Sequence, residues 1–347
     1  MNKKILMLGW GYPPNIDGGL DVHVKHLFEE LQKKNIEVDL ALPKEKAPKK
    51  ENIIPIETGE GNMGWKARKM SSKVASLANE YDIIHTHDWF GAEAGFKAKK
   101  YSGVKWVSTI HSVSSDRSRK SGGMEDLEKL AVEEPDKLLT VSQRLGDKIN
   151  REYGREPLVI HNGFSKVETS GKKVGKDLEI EENMVFFVGR HAEQKGVEHL
   201  IYGFKKYLDS GNDAELVIGG EGYLTESLED FVDLLNISGN VHFVGFIPDR
   251  ELGDFYEASD LFVSPSISEP FGLTITEALG AGTPVAATSN GVEEILSSEQ
   301  IIEIKPDSDS IKEGIKKGLN KGRVEIEDER TWKDMSKEIL EVYKGFM

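Results

Sequence analysis

The chain has 347 residues, 38% of them hydrophobic, which is enough to bury the cores of two ordinary domains. Its formal net charge is −15, but residues 1–163 carry 26 basic and 24 acidic side chains, whereas residues 164–347 carry 19 and 36. This acidic second half argues against nucleic-acid binding, and it means that an anionic ligand must be held by local donors. The absence of cysteine excludes disulfides and thiolate catalysis and is typical of a reducing cytoplasm, which is the location we expect.

The apolar run that follows Lys3 and Lys4 is too short for a signal peptide and predicts a first buried strand. Along the rest of the chain, short apolar runs alternate with segments of helical periodicity such as 22–31 and 198–208, which is typical of βαβ units and parallel sheets. The series restarts near residue 184, and six strands on each side of the break are too many for one sheet, so we expect two domains. The predicted strands are 5–8, 37–42, 83–85, 106–110, 138–141 and 158–160 in the first half, and 185–188, 215–218, 241–244, 261–263, 284–287 and 301–304 in the second.

Two further segments mark the organisation of the chain. Residues 165–176 are rich in Lys, Gly, Ser and Thr and predict a linker. Residues 331–347 carry Trp332, Met335, Ile339 and Tyr343 at helical spacing and predict an amphipathic helix. By its spacing alone, this last helix would cap the second domain.

Residues 9–20 form a glycine-rich segment between the first strand and a helix. A glycine-rich turn that opens a helix presents backbone N–H groups and the positive end of the helix dipole to an anion. The dinucleotide fingerprint G-x-G-x-x-G would need a third glycine three positions after Gly11. This chain has Pro13 and Pro14 there, so that fingerprint is excluded. Both an anion-binding loop and a plain turn remain open for this segment.

Histidines follow two neighbouring predicted strands, with His85 and His87 at the end of one and His111 at the end of the next. Ligands of doubly wound sheets bind beyond the carboxyl ends of the strands, so these side chains and Asp88 are candidates for a ligand site, with a structural role as the alternative. We take His85 and His87 to lie on opposite faces of their strand. On that assumption a metal site is not expected here.

The second half carries cations and carboxylates in strand-to-helix loops. Arg190 and Lys195 follow one predicted strand, and a guanidinium with an ammonium is what a diphosphate leaving group needs, although solvated loop cations are the alternative. Glu269 follows another strand, and Glu277 lies two turns into the next predicted helix. In a chain this acidic, two glutamates eight positions apart do not indicate a site by themselves. They do so because one lies in the loop after a strand and the other in the helix that follows.

Together these motifs resemble glycosyltransferase family 4 over essentially the whole chain and in the family's order. The resemblance implies an α/β fold of GT-B architecture, in which two Rossmann-like, doubly wound parallel-sheet domains face each other across a cleft. It implies an acceptor-side domain at 1–163, a nucleotide-sugar domain at 164–325, and a terminal helix within 326–347 that crosses back. The segments that match the family are Gly18-Gly19, His87-Asp88, Asn162-Gly163, Gly189-Arg190 with Lys195-Gly196, Gly220-x-Gly222 and Glu269-x₇-Glu277. The segments that resemble the glycogen and starch synthase branch are His87-Asp88-Trp89, Thr109-Ile110-His111 and Gly272-Leu273-Thr274.

The resemblance also implies roles for single residues. Arg190 and Lys195 would hold the donor diphosphate, Glu277 would accept from the ribose hydroxyls, and Glu269 and His87 would line the transferred sugar. Asp88 and His111 would lie on the sugar and acceptor side. Asp17 departs from the pattern, because bacterial synthases carry a lysine just before the paired glycines. The remaining donor-side residues that the resemblance implies are Gly18, Gly19, Gly245, Phe246, Gly272, Leu273 and Thr274.

The activity implied is a retaining transfer of a hexosyl unit, glucose from UDP-glucose or ADP-glucose, to a carbohydrate acceptor. We find no second carboxylate motif that matches an opposed nucleophile and no acidic Asp-x-Asp cluster in a suitable loop, so we expect a front-face mechanism that needs no metal or cofactor. A mannosyl or similar transferase acting on a lipid-linked acceptor is an alternative, with a membrane contact through Lys66, Arg68, Lys69 and Lys73. A nucleotide-sugar epimerase of the same fold and a non-catalytic nucleotide-sugar binding protein also remain open.

Overall fold

The computed structural model describes residues 3–116, 123–164, 167–296, 299–326 and 330–346. The chain divides into two compact units. Unit 1 comprises residues 1–163 and 330–347, and unit 2 comprises residues 164–329. Within the described ranges, no helix has the length and apolar character needed to cross a bilayer.

Unit 1 is built on a seven-stranded parallel sheet with the strand order β3-β2-β1-β4-β5-β6-β7. The order reverses between β1 and β4, which is the topological switch point where doubly wound sheets bind ligands. The sequence did not predict β3, whose short apolar run contains Pro55 and lies at the edge of the sheet, where proline is tolerated. The strands are β1 (Lys4–Leu8), β2 (Glu37–Pro43), β3 (Ile53–Ile56), β4 (Ile83–His87), β5 (Lys105–Ile110), β6 (Lys137–Thr140) and β7 (Leu158–Val159).

The helices of unit 1 cover its sheet with apolar faces at helical spacing. The helix after β1 shows the pattern, since Val24, Leu27, Phe28 and Leu31 are fully buried. Burial of such side chains, at about 1.5–3 kcal/mol each, is the main stabilising contribution to this layer. The helices are α1 (Gly19–Lys33), α2 (Met63–Leu77), α3 (Ala92–Ser102), α4 (Met124–Glu133) and α5 (Gln143–Tyr153).

Unit 2 contains a six-stranded parallel sheet with the order β10-β9-β8-β11-β12-β13 and a switch point between β8 and β11. The two α/β sheets confirm the prediction of two Rossmann-like, doubly wound folds. The strands are β8 (Met184–Val188), β9 (Glu215–Gly219), β10 (Val241–Gly245), β11 (Leu261–Ser264), β12 (Val285–Ala287) and β13 (Ile301–Glu303). The helices are α6 (Val174–Asp177), α7 (Val197–Asp209), α8 (Thr225–Leu234), α9 (Asp249–Ala258), α10 (Leu273–Gly280) and α11 (Ser308–Leu319).

Residues 165 and 166 of the predicted linker lie outside the described ranges, and most of residues 167–176 are exposed. The carboxylate of Asp254 accepts from the backbone N–H groups of Ser170 and Gly171, both at 2.9 Å, and from the Ser170 hydroxyl at 2.6 Å. Val174 is buried and begins α6. Polar residues of this stretch therefore satisfy a buried carboxylate of unit 2, while the linker stays a prediction.

The terminal helix, α12 (Trp332–Lys344), belongs to unit 1 and packs against α1. Trp332 stacks on His26 with ring centroids 4.4 Å apart, and the Tyr343 hydroxyl lies 2.6 Å from Nδ1 of His85. The interpretation from spacing alone, that this helix caps the second domain, is wrong; the resemblance implied a return to the first domain. Its apolar stripe was recognisable in the sequence, but the surface that buries the stripe is set by the tertiary fold.

Candidate active site

The glycine-rich loop of unit 1 is held by the buried carboxylate of Asp21 in the first turn of α1. Its two oxygens accept from Gly11 N at 2.8 Å and from Asp17 N at 2.9 Å. A Cβ atom on Gly11 would lie 2.4 Å from the carbonyl oxygen of Asn15, so the turn requires glycine there. Burial raises the pKa of Asp21. The carboxylate fixes the path of the loop into the helix.

Gly18 and Gly19 lie at the exposed start of α1, which receives no side-chain cap from the part of the chain that the structure describes. The first N–H groups of a helix without a cap are available to a ligand, and the helix dipole favours an anion there. Asp17, which replaces the synthase lysine, forms an ion pair with Lys46. A lysine from a different segment, after β2, therefore lies beside the paired glycines.

The structure corrects the assumption that His85 and His87 lie on opposite faces of β4. Residues two apart on a strand share a face, and the two rings stack with centroids 4.5 Å apart. They nevertheless differ in their partners. His85 is satisfied by Tyr343 and by Thr109 Oγ1, at 2.6 and 2.7 Å. His85 is therefore a structural residue.

His87, His111 and His23 form a cluster at the carboxyl ends of β4 and β5. Nδ1 of His87 lies 3.1 Å from Nε2 of His111, and the His23 ring centroid lies 4.6 Å from that of His111. One ring nitrogen of each histidine lies within 4.8 Å of those of the other two, so the group can hold a metal ion. The face assignment on which the expectation of no metal site rested is wrong, and the expectation itself stays a prediction. Burial lowers the pKa of all three imidazoles, that of His23 to about 4.

Asp88 does not face outward as a free carboxylate. Its Oδ1 accepts from the backbone N–H of His111 at 2.6 Å, and its own N–H donates to the Thr109 carbonyl at 2.9 Å. Its φ is 49°, in the left-handed region that aspartate tolerates. Asp88 therefore links the end of β4 to β5 and positions His111.

In unit 2, Arg190 lies at the carboxyl end of β8, beside the switch point. It is exposed, and its guanidinium makes no hydrogen bond or ion pair within the described ranges. It lines a cavity of about 740 Å³. Two glycines allow backbone segments around this cavity to approach each other closely. A Cβ on Gly220 would lie 2.1 Å from the Gly189 carbonyl oxygen, and one on Gly222 would lie 2.2 Å from that of His191. The other lining residues are His191, Gly220, Glu221, Gly222, Thr225, Glu229, Phe243 and Gly245.

Lys195 and Glu269 form an ion pair. Nζ of Lys195 donates to Oε2 of Glu269 at 2.7 Å, and the Ser266 hydroxyl donates to the same oxygen at 3.2 Å. Glu269 is buried, whereas about a quarter of the Lys195 side chain is exposed. The carboxylate is thus held in one position, and the ammonium keeps N–H donors directed away from it.

Glu277 lies in the middle of α10, where it accepts a 2.9 Å hydrogen bond from the hydroxyl of the fully buried Tyr256. Burial raises the pKa of Glu277 to about 7. Gly272 caps α10 with φ 105°, and the N–H groups of Leu273 and Thr274, the first two helical residues, have no acceptor within the described chain. This helix start can bind an anion or a polar ligand atom.

Gly245 ends β10 at φ 65° and lines the cavity, and Phe246 next to it is 64% exposed. An aromatic ring this exposed offers a stacking surface. Three residues that contact the candidate site were missed in the sequence: His23, Ser266 and Tyr256. For His23 a signal existed, since a histidine lies on the buried face of the helix that follows the glycine-rich loop.

The chain is similar to two protein families, to characterised and uncharacterised relatives, and to solved structures. The model of the family Glycosyl transferases group 1 matches residues 172–338, and that of Glycosyltransferase Family 4 matches residues 17–166. An uncharacterized glycosyltransferase of Methanocaldococcus jannaschii is 32% identical over 98% of each chain. A glycogen synthase of Mycobacterium tuberculosis is 27% identical over 83% of this chain and 78% of its own. The structure of Anabaena HepE in complex with UDP and glucose aligns with a TM-score of 0.77 and 19% identity over 99% of this chain and all of the other.

Proposed function

The chain belongs to the group 1 glycosyltransferases of family 4, and from that premise we propose that it transfers glucose from a nucleoside diphosphate donor to a glucan acceptor with retention of configuration. The observation that carries this proposal is the arrangement at the switch point of unit 2. Arg190, whose guanidinium has no partner among the residues that the structure describes, follows β8, and the Lys195–Glu269 ion pair joins the loops after β8 and β11. Two cations and a fixed carboxylate at this edge suit a diphosphate that leaves from a sugar.

The cavity beside Arg190 suits the nucleoside. Glu221 and Glu229 among its lining residues can accept from hydroxyl or amino groups, and Phe246 offers a face to the base. Glu277 presents a carboxylate that Tyr256 orients, and it would accept from the ribose hydroxyls. UDP is the nucleotide that we propose first, since the Anabaena structure contains UDP and glucose.

The diphosphate would be bound by Arg190, by the free N–H donors of Lys195 and by the amides of Leu273 and Thr274. As the sugar–phosphate bond breaks, negative charge develops on the phosphate oxygens, and donors fixed before the reaction stabilise that charge at no reorganisation cost. A single donor of this kind contributes about 2.7–4 kcal/mol of transition-state stabilisation.

In unit 2 the sugar would meet Glu269, and in unit 1 we propose His87 as a residue that binds the sugar. Positive charge develops at the anomeric carbon while the diphosphate departs, and a carboxylate with a fixed position favours that state over the ground state. We propose that a departing phosphate oxygen removes the acceptor proton on the same face, which gives retention without a protein nucleophile. No second carboxylate then has to lie opposite Glu269.

A lipid-linked acceptor is the second candidate, and one surface of α2 favours it. Trp65 is 47% exposed and Met63 is 38% exposed. Nζ of Lys69 lies 4.6 Å from the Trp65 ring centroid, while Arg68 and Lys73 are exposed on the same helix. Aromatic and basic side chains together favour an anionic bilayer surface. Lys66 contributes less than the sequence suggested, because it forms an ion pair with Glu45.

Product analysis tests the proposal. The purified chain is incubated with UDP-, ADP- and GDP-sugars, each with a glucan primer, with a lipid-linked acceptor or alone, and the anomeric configuration of the product is read by NMR. We expect UDP-glucose and the primer to give an α-linked product. Turnover of the donor to its epimer without an acceptor would favour the epimerase instead. Transfer to the lipid-linked acceptor alone, with sedimentation on anionic vesicles that Trp65→Ala abolishes, would favour the second candidate.

A further inference from the structure

The histidine cluster of unit 1 has ligand atoms that the protein itself does not use. Nε2 of His23 and Nε2 of His87 are buried and have no hydrogen-bond partner within the described residues. Both side chains are at most 1% exposed. Buried polar atoms are rarely left without a partner, so two of them in rings whose centroids are 5.4 Å apart indicate a ligand. We propose that His23, His87 and His111 form a binding site for one divalent transition-metal ion of the Zn²⁺ class.

The hydrogen bonds around His23 fix its tautomer. Nδ1 of His23 lies 2.7 Å from Oδ1 of Asn162, an atom that can only accept, so Nδ1 carries the proton. Nε2 therefore holds a lone pair, and it is the nitrogen of His23 that is left to bind an ion. This arrangement, in which one ring nitrogen donates to a protein oxygen and the other is free, is the one that metal-ligating histidines adopt.

The spacing of the cluster suits a tetrahedral ion after small ring rotations. With Zn–N bonds of about 2.0 Å, two nitrogens on one tetrahedral zinc lie roughly 3.3 Å apart. One ring nitrogen of each histidine lies within 4.8 Å of those of the other two. Nδ1 of His87 is already 3.1 Å from Nε2 of His111, so a rotation of the His87 ring is needed if its unpartnered Nε2 is to be the ligand. Three imidazoles select zinc, copper or nickel over magnesium or calcium, which prefer oxygen.

Occupation by an ion has a consequence that rests on the proposed function. A neutral imidazole has a single lone pair, so His87 cannot bind an ion and also accept a hydrogen bond from a sugar hydroxyl. The ion and the sugar would therefore exclude each other. The site would make the transferase sensitive to free zinc, and the ion would be an inhibitor with no part in the reaction.

Binding is measured first without donor or acceptor. Metal-free protein competes with a chromophoric chelator for Zn²⁺, and Co²⁺ spectra report the coordination number. We expect one ion per chain and a tetrahedral Co²⁺ spectrum. His23→Gln and His111→Gln should each weaken Zn²⁺ binding by tenfold or more, and Asn162→Ala by about 10–100-fold, as for other second-sphere partners of metal ligands. His199→Gln, which changes a histidine of unit 2, is the control and should bind as the wild type does.

Melting curves of the metal-free variants establish that each is folded. No saturable Zn²⁺ binding to the wild type, or binding that His23→Gln and His111→Gln leave unchanged, would overturn the proposal. The inhibition is tested separately, as the ratio of activities with and without Zn²⁺. This ratio should return to near one in His23→Gln, and strong inhibition that persists in His23→Gln would contradict the exclusion of sugar by the ion. Because the binding measurement needs no turnover, failure of the glycosyltransferase assignment and failure of the metal site remain distinguishable.

Discussion

The ammonium of Lys195 donates to Oε2 of Glu269 at 2.7 Å, which connects two loops whose residues are 74 positions apart in the chain. Little of either side chain is in contact with water, so the pair is screened less than a surface ion pair. Neither residue can be removed without leaving the other in an altered environment. The kinetics of variants at these two positions are therefore expected to be coupled.

Lys195→Ala should lower turnover by roughly 100-fold or more, because one preorganised donor to the leaving group contributes about that factor. Steady-state kinetics with a saturating donor measure it. Lys205→Ala is the matched control, since Lys205 forms a surface ion pair with Asp209 on α7. Near-normal turnover in a folded Lys195→Ala variant would contradict the role in diphosphate binding.

Glu269→Gln should mainly lower kcat and leave the affinity for UDP almost unchanged, since the carboxylate would act where charge develops on the sugar. The double variant with Lys195→Ala should lose less activity than the product of the two single losses, because the partners are in contact. A double-mutant cycle on kcat/KM measures this coupling. Strictly multiplicative losses would show that the ion pair does not operate as a unit.

Glu277→Gln should mainly raise the donor KM with little change in kcat. The ribose does not react, so its hydrogen bonds are shared by the ground and transition states. Initial rates over a range of donor concentrations separate the two constants. Tyr256→Phe, which removes only the hydroxyl that orients Glu277, should change KM in the same direction by a smaller factor. A fall in kcat at unchanged KM would assign Glu277 to the reacting centre instead.

The pH dependence of stability should also report on Glu277. Its pKa in the folded chain is raised to about 7 from the ordinary value of 4.5, so between these two values the folded state binds more protons than the unfolded state. The free energy of unfolding therefore falls as the pH rises through this interval. The melting temperature of the wild type should fall relative to that of Glu277→Gln between about pH 5 and pH 8. Parallel curves for the two proteins would contradict the raised pKa.

Asp21→Ala should destabilise unit 1 by about 1–3 kcal/mol, because it leaves the N–H groups of Gly11 and Asp17 without their acceptor. Asp21→Asn keeps one oxygen acceptor and should cost less. Urea unfolding of the three proteins measures the differences. If Asp21→Ala unfolds at the wild-type midpoint, the glycine-rich loop does not depend on this carboxylate.

The sequence by itself determined the local features of this protein. Alternating apolar runs predicted the strands and the two parallel sheets, because burial on both faces leaves a signal in consecutive residues. Arg190 and Glu269 were recognisable because a polar loop directly after a buried strand is itself a local pattern. The edge strand β3 escaped because Pro55 interrupts its run.

The tertiary structure alone decided which of these features meet. Lys195 contacts Glu269 because β8 and β11 are neighbours at the switch point of their sheet. The order of strands in a sheet cannot be predicted from the residues of a single segment. The ring centroid of His23, from α1, lies 5.4 Å from that of His87 at the end of β4. The spacing of α12 alone suggested the second domain, whereas the helix packs in unit 1. Periodicity encodes whether a face is buried, whereas the partner that buries it is set by long-range packing.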